Sequence, residues 1–490
     1  MGKKKNKTST ELDDDALLDL AIQEVNNQEK DEGSSSAGDK NFFKPNLRQM
    51  NADAEIKEKL SQAMMKSKGN RMDNKAVKAI FKHKPTWPVF RTLGMSFKCV
   101  REEGPIKTFQ VEHSSSYASL QLLFTSFRLN HDLEAITNMV LAENPYHLES
   151  LFLLAQNHIM REEFTSATDV LERSLFAITS CTFQFNLLSE QHQLNYRSAE
   201  TRIIFQLLFS FIQLLVCRHC FVTALQYGKL LYSKDPKNDP LAMTLLIDFI
   251  ALKSGNYNYL ADVFEEYRKT KNWEMLPNFL YSTAYACHKL YEKTGDEVYL
   301  VKEKELTKLA LIRFPQVIGA LVQRMGLDPT DTVKATGHFG YSETSVPLGI
   351  RMLVNIFFKH SYTFWSHGPQ LAWLQQISEE FASNFKTHKS KINEWNKTCI
   401  RVFVGLPVNV KRHALLIGID PETEEDKNFF DPFPPQHPAT SSAAPQEQGS
   451  VAGVIRHQIN GLMSSLRDVL DQIQDSNANA ADVRNGPDAQ

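Results

Sequence analysis

Apolar residues recur every three to four positions between residues 117 and 324, which is the spacing of one face of an α-helix. Short polar breaks divide this stretch into pairs of helices. Pro145, Pro240 and Pro315 each stand where one helix is expected to stop and the next to begin, because proline suits a first helical turn. The predicted pairs are 117–129 with 132–142, 148–155 with 164–175, 199–217 with 219–232, 243–251 with 257–267, and 275–289 with 297–312.

A single pair of helices leaves one apolar face in water, so such pairs must stack on one another to be stable. We therefore predict an all-α fold, an irregular tetratricopeptide-like helical-repeat solenoid with disordered N- and C-terminal tails. The alternative is an irregular helical bundle without a groove. A stacked array presents an extended concave surface, which suits peptide and protein partners better than catalysis.

Shifts in composition divide the chain into seven segments, of which the tails are too rich in Ser, Pro and charged residues to bury a core. The predicted segments are 1–40, a disordered tail with a short acidic amphipathic helix; 41–113, a basic mixed segment that caps the solenoid; 114–325, the helical-repeat core; 326–420, a second helical segment; 421–450, a Pro/Ser-rich linker; 451–474, an amphipathic helix; and 475–490, a disordered end.

The overall composition narrows the class of protein. The 490 residues are 42% hydrophobic and 23% charged, with a formal net charge of -2, so a protein covered in cations for nucleic-acid binding is excluded. The six cysteines are scattered, which indicates a reducing compartment. The most apolar run, 203–216, is too short to span a bilayer, and we interpret it as a buried core helix with no membrane partner. No signal peptide is expected at the N-terminus.

The sequence motifs that could support metal binding, phosphate binding or catalysis are incomplete. Cys217 and Cys220 resemble half of a zinc site, but a second pair of ligands at suitable spacing is missing, so structural cysteines are the favoured interpretation. Neither a phosphate-binding loop nor a nucleophile elbow is complete. We therefore predict a protein that is not an enzyme and that has no catalytic residue, metal or cofactor.

The segment 57–98 has the sharpest local charge, with eleven Lys and Arg residues against Glu58 and Asp73. Aromatic residues are interleaved with these cations, and the two together favour phosphate contact with base stacking. The predicted RNA or ribosome contact residues are Lys75, Lys78, Lys82, Lys84 and Trp87. The alternative is a solvated helix face followed by a tryptophan buried in the cap of the solenoid. Sequence-specific DNA binding is not expected, because no helix with base-reading residues is evident.

Two amphipathic segments lie near the ends of the chain. In the C-terminal one, apolar residues alternate at spacings of four and three, as in a heptad seam that docks on a partner helix or in a groove. The seam residues are Ile455, Ile459, Leu462, Leu466, Val469 and Ile473. In the N-terminal one, an acidic run precedes Leu18 and Ala21, which approaches a ubiquitin-interacting helix except that Val25 stands where that motif has Ser. An ordinary acidic amphipathic segment is the alternative.

Several short motifs, in order and at characteristic spacing, resemble a known family. The pieces are Asn46 to Leu60, Lys84 to Pro88, Glu112-His113 with Tyr117, Asn144 to His147, Leu194 to Arg197, Asp239 to Leu241, Leu245 to Asp248, Asn256 to Leu260, Leu276 to Phe279 and Asp431 to Pro435. Over roughly residues 41 to 435 the chain resembles the transcription factor twenty-five family, also called nuclear localised protein one. Its fungal counterpart is subunit one of the ribosome quality control complex.

The resemblance implies a non-catalytic adaptor subunit of the complex that clears stalled nascent chains from the large ribosomal subunit. It would help to form the ubiquitin chain and to recruit the extractor. The implied partners are a Listerin-type ubiquitin ligase, a nascent-chain elongating factor, an AAA ATPase extractor and the large ribosomal subunit, with ubiquitin itself as a further candidate. The implied location is the cytosol, with the nucleus as a further candidate. The alternative is a nuclear transcriptional corepressor that acts through protein–protein contacts.

Overall fold

The computed structural model describes residues 41–64, 81–181 and 184–420, and nearly all of its regular structure is helical. The helices up to residue 325 are α1 (Ala52–Met64), α2 (Ser115–Leu129), α3 (Leu133–Ala135, continued by the π-helical turn Ile136–Val140 and by Leu141–Glu143), α4 (Leu148–Met160), α5 (Phe164–Ser180), α6 (Arg202–Cys217), α7 (Phe221–Lys234), α8 (Ile247–Lys253), α9 (Tyr257–Tyr267), α10 (Pro277–Thr294), α11 (Glu297–Arg313) and α12 (Gln316–Met325). These bounds match the predicted helical pairs closely.

In four of the helical pairs, the same kind of turn joins the first helix to the second. Its central residue has a positive φ of 56° at His131, 61° at Glu162, 57° at His219 and 72° at Gly255. The N–H of the following residue then donates to the carbonyl five residues back, which is the hydrogen bond that closes a helix end in a Schellman motif. These bonds run from Asp132 to Phe127, from Glu163 to His158, from Cys220 to Leu215 and from Asn256 to Ala251. The turns are unequally spaced along the chain, so the hairpins recur without a strict tetratricopeptide period.

Stacking of the pairs removes their apolar faces from water. From α4 to α11 each helix packs on the next, and α4 also contacts α6 while α8 contacts α10. Helix α6 is buried on nearly its whole circumference, from Ile203 to Leu215. The span Ala199–Cys217 is long and apolar enough to cross a membrane, but most of it is buried inside the fold. It therefore packs as the core helix that the sequence predicts.

The second helical segment folds back on the end of the solenoid. Its helices are α13 (Asp331–Thr336), α14 (Leu348–Trp365), α15 (Gly368–Ser383), α16 (Phe385–Val402) and α17 (Val408–Leu416). Helix α14 packs on α10 and α12, while α15 and α16 pack on α11. One continuous apolar core runs from Phe43 to Ile417. The predicted segments 41–113, 114–325 and 326–420 thus share a single core.

A small sheet interrupts the helical architecture, and the sequence analysis did not predict it. Strands β1 (Met95–Glu103) and β2 (Ile106–His113) form an antiparallel hairpin, and the short β3 (His192–Leu194) pairs in parallel with β2. Gly104 makes the connecting turn with a φ of 60°. Phe97, Phe109 and Val111 face the core, so the hairpin buries one face at the start of the helical array.

Candidate interaction surfaces and the frame that supports them

Residues 41–60 lie across α7 and are bonded to it along their length. The ring of Phe43 stacks on Tyr232 with centroids 3.9 Å apart, and the backbone N–H of Asn46 donates to the Gln226 side chain at 2.8 Å. The Glu55 carboxylate accepts from the backbone N–H groups of Val222 and Thr223 at 3.2 and 2.8 Å. It thus caps the first turn of α7, where the helix dipole favours an anion.

Lys84 and Trp87 form a clamp on α5. The Lys84 ammonium lies 2.9 Å from Asp169 and 2.6 Å from Glu172, and the Trp87 indole N–H donates to Asp169 at 2.9 Å. Trp87 is only 5% exposed, and its ring packs against Phe176. Burial lowers the pKa of Lys84, but hydrogen bonds to Glu172 and Asp169 together raise it by a larger amount. The net pKa is therefore above its ordinary value. The Lys84 charge is therefore compensated inside the fold.

A second set of bonds holds the chain that follows the clamp. The Tyr146 hydroxyl donates to the carbonyl of Pro88, and the Asn144 side-chain amide donates to the carbonyl of Leu93 at 3.2 Å. Both residues lie in the turn before α4. The motif Asn144 to His147 therefore binds the segment 84–93 to the helical array.

Beneath this turn, Tyr117, His147 and Glu149 form a buried polar cluster. The Tyr117 hydroxyl donates to Glu149 at 2.5 Å and accepts from the Leu148 N–H at 3.0 Å, and its ring stacks on His147 at 4.5 Å. Burial raises the pKa of Glu149 to about 7 and lowers that of His147 to about 3. Such shifts occur at active sites, but these three residues are at most 5% exposed and lie between helices. A substrate could not reach them, and we assign the cluster to the frame.

The loop after α7 joins the middle of the array to the C-terminal helix α17. Asp239 accepts from the N–H groups of Met243 and Thr244, and the carbonyl of Leu241 accepts from His413 Nδ1 at 2.8 Å. His413 Nε2 in turn lies 2.8 Å from His360 Nε2. A carbonyl only accepts hydrogen bonds, so His413 carries its proton on Nδ1 and its Nε2 accepts from His360. This chain of bonds fixes α17 against α14 and the loop.

Asp248 serves a similar role deeper in the core. Its carboxylate accepts from the Asn278 side chain at 2.7 Å and from the Ser282 hydroxyl at 2.6 Å. Burial raises the pKa of Asp248 above its ordinary value, while these two hydrogen bonds lower it, and burial has the larger effect. Asp248 and Asn278 lie in the motifs 245–248 and 276–279, so these family-like pieces meet each other across α8 and α10.

These contacts decide what the arrangement can do chemically. The recurring motifs bond to one another and set the positions of helices. Cys217 and Cys220 are largely buried free thiols, and burial raises their pKa values to about 12 and 11, so both stay protonated at neutral pH. Within residues 41–64, 81–181 and 184–420, no group of three or more His, Cys, Asp or Glu side chains is placed to hold a metal ion.

The structure places three of the five predicted RNA-contact residues. Lys84 and Trp87 lie in the clamp, and Lys82 is exposed beside it. Lys75 and Lys78 lie outside the described residues, and so does the C-terminal seam from Ile455 to Ile473. The burial of Trp87 corresponds to the alternative interpretation given for that tryptophan, and RNA contact by the remaining lysines stays a prediction.

Helix α16 carries a second basic surface, which the sequence analysis missed. Its exposed cations are Lys386, Lys389, Lys391, Lys397 and Arg401. The buried side chains of the same helix are Ile392, Trp395 and Cys399, which pack toward α11. The spacing of cations opposite a buried stripe is present in the sequence, but the five cations of this eighteen-residue helix give a smaller total charge than the eleven of segment 57–98.

Comparison with known proteins identifies the relatives of this chain. The family model described as "Transcriptional repressor TCF25" matches residues 109–435. A human protein named "Ribosome quality control complex subunit TCF25" is 28% identical over 433 residues, which cover 79% of this chain and 64% of the human protein. A Schizosaccharomyces pombe protein named "Ribosome quality control complex subunit 1" is 21% identical over 408 residues, covering 80% of this chain and 57% of the relative.

A third relative carries a different kind of name. "Probable transcription factor claV" of Ampulloclitocybe clavipes is 26% identical over 295 residues, covering 56% of this chain and 38% of the relative. The chain thus spans less than two thirds of the length of these curated relatives. No solved structure matches it.

Proposed function

The chain belongs to the family of transcriptional repressor TCF25, and we propose that it acts as a non-catalytic adaptor subunit of a ribosome quality control complex. In this role it would help to build the ubiquitin chain on stalled nascent chains and to bring about their extraction from large ribosomal subunits. The names of the human and S. pombe relatives support the assignment to this complex. These relatives are named as complex subunits rather than as enzymes.

The observation that carries the proposal is that the polar motifs form hydrogen bonds and ion pairs within the chain itself. Lys84, Asn144, Leu241 and Asp248 each bond to another part of the same chain, so the motifs build a rigid frame of stacked helices. A frame of this kind contributes by position. It holds two partners at a fixed distance and raises the effective concentration of one near the other.

The proposed partners follow from this role. They are a Listerin-type ubiquitin ligase, a nascent-chain elongating factor, an AAA ATPase extractor and the large ribosomal subunit, with ubiquitin as a further candidate. The proposed location is the cytosol. The test is affinity purification of the full chain, with crosslinking and mass spectrometry, before and after translation is stalled. We expect large-subunit proteins and the ligase to be enriched after stalling, and their absence from repeated purifications would refute the proposal.

The basic segment before the clamp supplies a second test. We propose that Lys75, Lys78 and Lys82 contact the ribosome, whereas Lys84 acts within the fold. The triple change K75E/K78E/K82E should lower co-sedimentation with large subunits and leave the helical circular dichroism unchanged. The matched control is R161E/K269E/K293E, which makes the same change in charge at exposed positions outside segment 57–98. Equal sedimentation of both variants would remove this contact from the proposal.

For the C-terminal segment we propose that the seam from Ile455 to Ile473 docks on a partner or in a groove of this chain. The change L462E/L466E places charge on the seam and should abolish the recovery of one partner. The control N460E/S464E places the same charge on the opposite side of a helix with this register. If both variants recover the same partners as the unchanged chain, the seam has no docking role.

A nuclear transcriptional corepressor is the second candidate function, and the name of the A. clavipes relative favours it. The two candidates differ in what the chain binds. A corepressor that contacts DNA directly should bind duplex DNA with an affinity that falls steeply as salt rises. Recovery of nuclear repressor proteins without ribosomal ones, in the purification described above, would favour this second function.

A further inference from the structure

The exposed side of α16 is a coherent cationic face. At about 100° per residue, Lys386, Lys389, Lys397 and Arg401 fall within a sector of about 120° that lies opposite the buried stripe of the helix. From the first to the last of these residues the face extends for about 22 Å at the helical rise. Because α16 is packed on α11 along the stripe, the face has a fixed direction and a fixed length.

The flank of this face adds further positive charge. Burial lowers the pKa of His388, and the neighbouring cations Lys308 of α11 and Lys391 lower it further. The carboxylates nearby are Glu394 on α16 itself and Glu379 and Glu380 near the end of α15. Across the part of the chain that the structure describes, none of the six cations Lys308, Lys386, Lys389, Lys391, Lys397 and Arg401 has an ion pair within 4.0 Å. Their charge is therefore available to an external polyanion.

The residues between the cations indicate the class of that polyanion. Ser390, Asn393 and Asn396 are exposed on the same side, and such side chains commonly donate hydrogen bonds to phosphate and sugar oxygens. Ile400 is the one large apolar residue in the sector, at its C-terminal end. A protein partner of this area would need a central cluster of apolar or aromatic anchors, which this face does not offer. The composition thus favours a nucleic-acid backbone over an acidic protein.

The absence of aromatic residues from this face distinguishes double-stranded from single-stranded RNA. Proteins that bind single strands combine a basic groove with aromatic rings on which bases stack. The described part of α16 has one tryptophan, Trp395, and it is buried with its N–H donating to the carbonyl of Arg313. A straight row of cations without rings suits the regular phosphates of an A-form helix, which proteins recognise mainly by shape and backbone.

We propose that the α16 face binds the phosphate backbone of double-helical RNA. The identity of the RNA as that of the large ribosomal subunit rests on the proposed function, whereas binding to an isolated duplex does not. The face would then orient the frame on the ribosome through a rigid helix. In sequence, α16 lies near the C-terminal end of the described residues, whereas the clamp lies near their N-terminal end.

The test uses the full chain and a fluorescent RNA duplex of about 20 base pairs, with anisotropy measured over a series of salt concentrations. The variant K386E/K389E/K397E/R401E should bind at least about tenfold more weakly at about 100 mM salt. If four phosphate contacts are lost, the slope of log K against log salt should become less negative by about 3 to 4. The control R48E/R161E/K269E/K293E makes the same charge change at exposed positions outside both basic regions and should retain the affinity and slope.

Three results would overturn the proposal: equal loss in the test and control variants, no duplex binding by the unchanged chain, or tighter binding of a single strand or of an aspartate- and glutamate-rich peptide than of the duplex. If the Glu variant loses its helical circular dichroism, K386Q/K389Q/K397Q/R401Q replaces it, with the same expected direction. Nascent-chain ubiquitination is measured separately. A chain that binds duplex RNA but has no effect on ubiquitination would support this inference while contradicting the proposed function.

Discussion

Two lysine-rich parts of this molecule use their charge in opposite ways. In the clamp, Lys84 lies between Asp169 and Glu172, and the adjoining Trp87 is buried against α5. On α16, cations such as Lys386 and Lys397 are exposed and have no carboxylate within ion-pair distance among the described residues. The first arrangement stabilises the fold, whereas the second leaves charge available for binding.

The difference shows why local charge density is a weak guide to a binding surface. The segment 57–98 is the more basic of the two in sequence, yet acidic residues on α5, about 85 positions away, neutralise part of it. Helix α16 has a smaller total charge at a similar density of cations, and its partner helix α11 contributes Lys308 rather than a neutralising carboxylate at the flank. What matters is the set of residues that the fold brings opposite each cation.

The largest expected effect concerns the clamp. The change Trp87→Ala removes a buried ring and leaves Asp169 without its indole donor, so the free energy of unfolding should fall by about 3–5 kcal/mol. Urea denaturation followed by circular dichroism measures this loss, and Trp87→Phe, which retains most of the ring contacts with Phe176, should lose less. RNA-duplex affinity of the folded protein should stay unchanged. If Trp87→Ala folds with normal stability but loses affinity for the RNA duplex, the clamp would be a binding surface rather than a support of the fold.

A second prediction concerns how the stability of the second helical segment, residues 326–420, which includes α16, depends on pH. Burial lowers the pKa of His413 to about 4, from an ordinary value of 6.5. The unfolded chain takes up a proton first as pH falls, so the stability from neutral His413 is present above pH 6.5 and is lost as pH falls toward 4. The full shift corresponds to about 3 kcal/mol. Protonation would also place two N–H groups against each other between His413 and His360.

Unfolding midpoints in urea at about pH 7.5 and 5 test this effect. The variant His413→Gln cannot titrate and should show a smaller fall in stability between the two pH values than the unchanged chain. His147→Gln is the comparison variant, because His147 is also buried and its pKa is lowered in the same direction. An unchanged pH dependence in His413→Gln would show that the bond to Leu241 does not depend on the neutral histidine.

A smaller effect is expected at the cap of α7. Burial raises the pKa of Glu55, but the hydrogen bonds it accepts, the first of them from Lys59 and Thr223, together lower it by a larger amount. Its net pKa is therefore below 4.5. The change Glu55→Gln removes the charge at the helix N-terminus while keeping an acceptor, and should cost about 1 kcal/mol. The stability from Glu55 is present above pH 4.5 and is lost as pH falls through the folded pKa. The variant should therefore match the unchanged chain at low pH, and an equal deficit at every pH would assign the loss to packing.

Local signals predicted the helices because they depend on neighbours in sequence. The pair 148–160 and 164–180 follows from helical periodicity and from the turn at Glu162, and Gly255 marks a turn of the same kind. The hairpin of β1 and β2 was also readable, since Phe97, Phe109 and Val111 alternate with polar residues around Gly104. It was missed because the surrounding segment was interpreted as a basic cap.

The candidate sites depend on pairs that sequence order does not reveal. Lys84 meets Asp169, and His360 meets His413, only because stacked helices bring them together. The family-like motifs were correctly recognised as belonging together, but their role as mutual supports required the contacts. The α16 face shows the converse: its spacing was present in the sequence, yet the lack of neutralising neighbours is a property of the folded chain.

The smallest expected effect separates the two basic regions most directly. Lys84 is 42% exposed, and exposed ion pairs contribute little because water screens them, so Lys84→Met should change stability by about 0.2–1 kcal/mol. A double-mutant cycle with Glu172→Gln measures the coupling between the two residues. Because the Lys84 charge is compensated within the fold, the same change should leave the salt dependence of RNA binding as it is, whereas Lys397→Met on α16 should make its slope less negative by about 1. If Lys84→Met and Lys397→Met alter the slope equally, both regions contact phosphate and the distinction drawn from their neighbours is wrong.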